Sequence, residues 1–372
     1  MLEFSTIFKF YPGNFGYKLS ALGPGQEVAL DLVGKIGLQP SNMASNLSKK
    51  LLLVAVSAVA SAALLVGTYE VYKSIQYEQW KSTYHQSREW YGGLTIPSDN
   101  ETLMWEYRPQ GEAKKWGATI RTNSHGFRDR EHELVKIDGV RRVAFVGDSV
   151  TLGIGVDEEN IFVRQFENAA QHTEQRPKVE VLSFAVDAYN AIQVLELLRT
   201  KAIRFMLDEV IYVMSMNDFD FEQASPKIMY FKKPKSFFLR EIEIYYRSKF
   251  EYHSYHFQKN KRVVYQDILR TKAILKEMGI NFRVALIPIF TQHTFENYPL
   301  AQMHEELRTW LTENGVSVIN FLEAFLEQQR PPRAFAIDIW HLNKEGHRIV
   351  ALGMAEALLA SPAGRTVVTD MP

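Results

Sequence analysis

Ser149 stands just past an apolar run, Val143-Ala144-Phe145-Val146, that breaks off at Gly147-Asp148. A continuous apolar run bounded in this way reads as a buried strand of a parallel sheet, and such sheets bind ligands just past the carboxyl ends of their strands. A serine hydroxyl is a poor nucleophile until an imidazole takes its proton, and His341 is the candidate base. Asp338 lies three residues before His341, close enough on one tight turn to accept from the other ring nitrogen and fix the tautomer. The chemistry these three describe is acyl transfer from an ester through an acyl-serine.

Each residue also has a structural reading. Ser149 could cap a helix, His341 could be a surface histidine, and Asp338 could cap the helix expected near Asn343. Their ordered co-occurrence with Asn217, at the end of another predicted strand, favours the catalytic reading. Asp148 is read as structural, because a second carboxylate beside the nucleophile would disfavour an alkoxide. His347 is expected on the surface of the last helix.

The elements that must position these residues alternate cleanly. Strands are expected over 143–146, 179–182, 209–214, 282–287 and 317–319, and helices over 161–170, 191–201, 263–278, 300–314 and 344–359. This βαβ alternation predicts a parallel sheet between two helical layers, joined by right-handed crossovers. The expected domain spans 141–362. It is interrupted at 219–262, a connection far longer than the usual two to six residues and therefore expected to be a lid or a partner surface. Within it lie Phe231-Lys232-Lys233-Pro234-Lys235-Ser236-Phe237-Phe238, then Tyr245, Tyr246, Phe250, Tyr252, Tyr255 and Phe257. Interleaved aromatics and lysines could stack on sugars, meet a membrane or grip an acyl chain, or simply pack as a helical hairpin. Glu251, His253 and His256 lack a further ligand at metal-binding spacing, so no metal and no cofactor are expected.

The motifs resemble those of the SGNH (or GDSL) hydrolases, named for Ser, Gly, Asn and His in successive blocks. The first block is matched by Gly147-Asp148-Ser149 with Thr151, Gly153 and Gly155, and the second resembles Ser183-Phe184-Ala185-Val186-Asp187-Ala188-Tyr189-Asn190. The third is similar to Ser215-Met216-Asn217-Asp218, and the fifth to Asp338-x-x-His341 with Asn343 and Gly346. The resemblance implies a flavodoxin-like α/β sandwich with a five-stranded parallel sheet. It also implies three oxyanion donors: the backbone N–H of Ser149, the backbone N–H of Ala185 and the side-chain amide of Asn217. Ala185 stands where the family has glycine, so its N–H serves only if its φ is negative.

The rest of the chain speaks to location. Formal net charge is zero over 372 residues, which gives no sign of a nucleic-acid partner, and the absence of cysteine excludes disulfides and a thiol nucleophile. Residues 51–69 form an uncharged apolar run near the ~20 residues needed to cross a bilayer. Basic residues within twenty positions tie on the two sides, Lys35, Lys49 and Lys50 before and Lys73, Lys81 and Arg88 after. The adjacency of Lys49-Lys50 favours a cytoplasmic N-terminus, with the catalytic part periplasmic or extracellular. Met43-Ala44-Ser45-Asn46-Leu47-Ser48-Lys49-Lys50 reads like a start and short basic segment, so residues 1–42 of the 1–50 tail are expected to be an upstream extension.

Residues 70–140 are expected to form a stalk and approach segment, with Trp80, Trp90, Trp105 and Trp116 packed in a core, and 363–372 a tail. Arg121-Thr122-Asn123-Ser124-His125-Gly126-Phe127-Arg128 is similar to the approach segment of membrane-linked SGNH proteins in bacterial polysaccharide pathways; Arg128 could lie beside the pocket or form a surface salt bridge, and the surface role is favoured. The expected activity is a membrane-anchored serine esterase or O-acyltransferase acting on an acylated, typically acetylated, glycan or other envelope ester. A lipid esterase or thioesterase with an apolar lid is an alternative. So is an idle glycan-binding domain, which an Ala185 N–H turned away from Ser149 would favour.

Overall fold

The computed structural model describes residues 40–87, 93–172, 177–221, 235–247, 250–290 and 295–359. The expectations for residues 1–39, 231–234 and 363–372, and for the side chains of Trp80, Trp90, Tyr245, Tyr246, Phe250, Glu251 and Tyr252, lie outside the described residues and side chains. The chain divides into two units, Met1–Thr68 and Tyr69–Pro372.

The N-terminal helix, α1, runs Pro40–Ser87, well beyond the expected apolar run. An 18-residue window within its segment Ser48–Gln79 has mean hydropathy 2.3, and the segment is long and apolar enough to cross a membrane. Within the second unit, the end of α1 meets a later helix, α5 (Phe237–Arg247): Glu70 accepts from Ser236 Oγ and from the backbone N–H groups of Phe237 and Phe238. A carboxylate there satisfies N–H groups that the first turn of a helix leaves without partners.

Five parallel strands form the central sheet: β5 (Val140–Gly147), β6 (Lys178–Ala185), β7 (Glu209–Ser215), β8 (Asn281–Ile287) and β9 (Ser317–Asn320). Their spatial order is β6-β5-β7-β8-β9, the flavodoxin-like arrangement expected from the sequence, with its switch point at β5. Alternate residues serve opposite faces. Ala144, Val146, Leu182, Tyr212 and Leu286 pack with α4 (Ala191–Thr200), α6 (Phe250–Glu277) and α7 (Ala301–Glu313). Val143, Phe145, Val181, Ile211 and Ile287 pack with α3 (Phe162–His172), α8 (Phe321–Leu326) and α9 (Lys344–Leu359). With both faces covered, β5 reads as a continuous apolar run, and each fully buried Leu, Ile or Phe contributes about 1.5–3 kcal/mol.

Two expectations change. Residues 95–121 are not a stalk: they form two antiparallel hairpins, β1 (Thr95–Pro97) with β2 (Trp105–Tyr107) and β3 (Glu112–Lys115) with β4 (Ala118–Arg121). Leu94, Leu103, Trp105, Tyr107 and Ile120 from this region join the first hydrophobic core. The second half of the 219–262 interruption is the start of α6, longer than the helix expected over 263–278. There Phe257 is fully buried against Phe219, and Asn260 Nδ2 donates to the Phe219 carbonyl at 2.7 Å. That half is packed helix.

Candidate active site

Gly147 ends β5 in register with Ala185 of β6 on one side and Val213 of β7 on the other. A Cβ at Gly147 would lie 2.1 Å from Thr151 Oγ1 and 3.0 Å from the Val213 carbonyl oxygen, so only glycine lets the next turn fold back here. That turn is α2 (Ser149–Leu152), capped by Asp148, whose Oδ1 accepts from the Val150 N–H at 2.9 Å. Asp148 is thus the structural residue expected of it. Burial raises its carboxyl above the ordinary range, against the pull of Val150 N–H, the Asn217 amide and His341.

Arg128 holds the other end of this turn. Its Nη1 donates to the carbonyls of Leu152 and Gly153 at 2.9 and 2.8 Å, and its Nη2 to that of Val156 at 2.8 Å. The surface ion pair expected for Arg128 is therefore replaced by a guanidinium 1 % exposed, held by backbone carbonyls. Burial lowers its pKa, while Glu158 and other nearby acids act in the opposite sense. The planar fork serves several carbonyls at once, which a lysine could not.

His341 arrives on the loop before α9. The Ile337 N–H donates to the His341 carbonyl at 2.8 Å, and Ala336 bridges Leu342, which makes a tight hairpin of this segment. His341 Nε2 lies 2.8 Å from Ser149 Oγ, and His341 Nδ1 lies 2.8 Å from Asp338 Oδ2. Burial opposes the charge on Asp338, yet hydrogen bonding and charge from His341, with two backbone N–H groups, bring its pKa below the usual carboxylate range. An ionised Asp338 can only accept, so Nδ1 carries the proton and Nε2 is left to accept from the serine. Ser149 Oγ is also 3.5 Å from Asp148 Oδ2, at the limit for a hydrogen bond.

Asn217 lies in a short 3₁₀ turn after β7. Its Nδ2 donates to Asp148 Oδ2 at 3.1 Å, which orients the amide and leaves its second N–H for another acceptor. Ala185 is different. Its φ is not positive, so replacement of glycine brings no strain. Val186 N–H, however, donates to the Gly147 carbonyl at 3.3 Å. Successive N–H groups of a strand point to opposite sides, so the Ala185 N–H faces away from β5 and from Ser149. The expected donor role of Ala185 is corrected on that ground.

The loop after β6 supplies a residue that sequence reasoning missed. Tyr189 N–H donates to the Val186 carbonyl at 3.4 Å, closing a turn over 186–189 in which Ala188 takes φ +65. That left-handed region favours glycine, and no glycine marks the position in the sequence. No acceptor among the described residues takes the N–H of Ala188 or of Ser149. The first hairpin braces this turn: Tyr107 Oη accepts from the Asp187 N–H at 3.1 Å, and Tyr189 Oη donates to the Trp105 carbonyl.

Other candidates separate. His347 is buried rather than on the surface: its Nδ1 accepts from the Phe162 N–H at 3.2 Å, and burial, with lesser effects of Arg128 and His341, pushes its pKa down to about 3. His253 and His256 are buried at the start of α6, with His256 Nδ1 3.5 Å from Asp220 Oδ1. Trp105 is fully buried, as expected, whereas Trp116 is 52 % exposed and sits edge-on to the His341 ring, centroids 4.9 Å apart.

No family model and no curated protein sequence matches the chain. Solved structures do. The acetyl xylan esterase AlAXEase is similar over 58% of this chain and 99% of its own, with 14% identity and a TM-score of 0.42. A member of the lipolytic protein G-D-S-L family from Veillonella parvula is similar over 60% and 100%, with 14% identity and a TM-score of 0.38. The acetylxylan esterase Axe2 from Geobacillus stearothermophilus, as a catalytic mutant, is similar over 59% and 95%, with 16% identity and a TM-score of 0.42. At that distance a shared outline says nothing of substrate.

Proposed function

We propose that the chain is a serine esterase or O-acyltransferase anchored to a membrane by the apolar part of α1. The observation that carries this reading is the continuous relay from Asp338 through His341 to Ser149, with both hydrogen bonds at 2.8 Å. Ser149 Oγ attacks the ester carbonyl carbon while its proton passes to His341 Nε2. The oxyanion then meets the N–H of Ser149, the free N–H of Asn217 and, in place of Ala185, the N–H of Ala188. As the carbonyl re-forms, the bond to the alkoxy oxygen breaks and His341 protonates the departing alcohol. Water or a second alcohol next gives its proton to His341 and attacks the acyl-serine, which releases the acid or a new ester and restores the hydroxyl.

The substrate class is an acylated, typically acetylated, glycan or other envelope ester. Support for it comes from the apolar segment of α1 and from the likeness of the 121–128 segment to membrane-linked SGNH proteins. The Lys49-Lys50 pair ahead of that segment supports a catalytic domain on the far side of the membrane from the N-terminus. One observation favours the idle glycan-binding reading instead: the Ala185 N–H faces away from Ser149. Hydrolysis of small acetate esters by the full chain in detergent decides. The reading requires turnover that Ser149→Ala removes without lowering Tm. Turnover that persists in Ser149→Ala would refute the serine mechanism, and none in the folded wild type would favour the idle domain.

A further inference from the structure

Trp116 and Gly117 are the two loop residues of the β3–β4 hairpin, where Lys115 pairs with Ala118. Both have positive φ, +51 and +88, as a type I′ turn requires. Asn-Gly or Asp-Gly is the usual occupant, because a bulky residue is strained at positive φ. A tryptophan half exposed to solvent obtains little from burial to offset that strain, so its side chain must serve something beyond the fold.

Its surroundings say what. The indole stands edge-on to His341, 4.9 Å between centroids, within reach of anything bound at Ser149. Gly155, at φ +76, faces the indole at van der Waals distance: a Cβ there would lie 3.4 Å from Trp116 Cβ and would crowd Ile337 Cδ1 at 2.8 Å. Next to the indole, Lys115 is paired with Asp187, both nearly buried, which ties the hairpin tip to the turn that carries Ala188. Lys115 Nζ also lies 6.0 Å from the indole centroid. A flat apolar face beside a paired acid and base suits a ligand with an apolar C–H face and hydroxyl edges. A groove for an acyl chain would set apolar groups alone.

Resting on the esterase reading above, we infer that Trp116 is a specificity-determining residue, whose indole stacks on the pyranose ring that bears the scissile ester at Ser149. Binding of the ring is its contribution; the relay and the oxyanion donors act without it.

The test compares two acetates with the full chain in detergent: methyl mono-O-acetyl-glucopyranoside and ringless 2-methoxyethyl acetate. The wild type should favour the pyranoside by about tenfold or more in kcat/KM, as loss of a stacked aromatic contact implies. Trp116→Ala should erase that preference, costing the pyranoside about tenfold more in kcat/KM than the ringless acetate and chiefly through KM, and Trp116→Phe should restore most of it. Trp116→Gly should lose the preference with a Tm no lower than the wild type, since glycine relieves the left-handed turn.

Equal losses on both acetates, or a loss that grows with acyl chain length, would overturn the inference. So would a wild type with no preference for the ring. If the wild type turns over neither acetate, the esterase reading fails, and this inference falls with it.

Discussion

Asp338 holds His341 twice. Its Oδ2 accepts from the ring Nδ1 at 2.8 Å, and its Oδ1 accepts from the backbone N–H of His341 itself, also at 2.8 Å, and from that of Trp340. The same carboxylate therefore sets both the path of the loop and the tautomer of the ring it presents to Ser149.

That double grip decides what Asp338→Asn would do. Two backbone N–H groups demand an oxygen at the Oδ1 position, so the amide NH₂ of the variant must face His341 Nδ1. The ring then takes the other tautomer and presents an N–H to Ser149, where it can no longer act as a base. Turnover of acetate esters should fall by about 10³–10⁴ with folding intact. Near wild-type kcat in steady-state kinetics would contradict the assigned tautomer.

Asn217 and Ala188 are separable. Asn217→Ala should lower kcat by about 10²–10³ with KM little changed, because an oxyanion donor acts in the transition state. Ala188→Gly keeps the N–H and relieves φ +65, so activity should be retained and Tm should not fall. Wild-type kcat in Asn217→Ala would remove that amide from the oxyanion site.

Arg128→Lys tests how the nucleophile turn is held. A single ammonium cannot span the carbonyls of Leu152, Gly153 and Val156, and at least one is left buried without a donor. Chemical denaturation should show a loss of about 2–3 kcal/mol. An unchanged midpoint would mean that the buried fork contributes nothing to stability.

His347 should make the fold acid-sensitive. Its pKa is about 3 in the folded protein and roughly 6.5 when unfolded, so between these values the unfolded chain binds a proton that the folded one refuses. Stability is then fully present above about pH 6.5 and is lost as the pH falls toward 3. His253, lowered to about 4 by burial and by His256, adds to the same trend. His347→Gln keeps an acceptor for the Phe162 N–H, and its stability between pH 6 and 4 should fall less steeply in denaturant titrations. An identical slope would exclude His347 as a contributor.

All five sheet strands were legible in the sequence because each carries apolar residues in succession; β5 to β8 are largely buried on both faces, and the half-buried β9 shows only Val318-Ile319. Ser149 and Asn217 stood out because each directly follows a predicted strand, and Asp338 and His341 because their Asp-x-x-His spacing precedes the last predicted helix; the structure links Ser149, His341 and Asp338 by hydrogen bonds. The hairpins of residues 95–121 were not, since strands of three or four residues are too short for a periodic signal. Arg128 and His347 were misread because their side-chain types argue for the surface. Only the carbonyls ending α2 and the Phe162 N–H make their burial tolerable, and those partners are distant in sequence. Ala188 was missed because an alanine at positive φ leaves no mark in composition.

Fluorophosphonate labelling of the full chain in detergent, with the adduct located by mass spectrometry, tests the relay most directly. Stoichiometric modification at Ser149, abolished in Ser149→Ala and strongly slowed in Asp338→Asn, is the predicted result. A folded wild-type protein that takes up no label would contradict an activated Ser149.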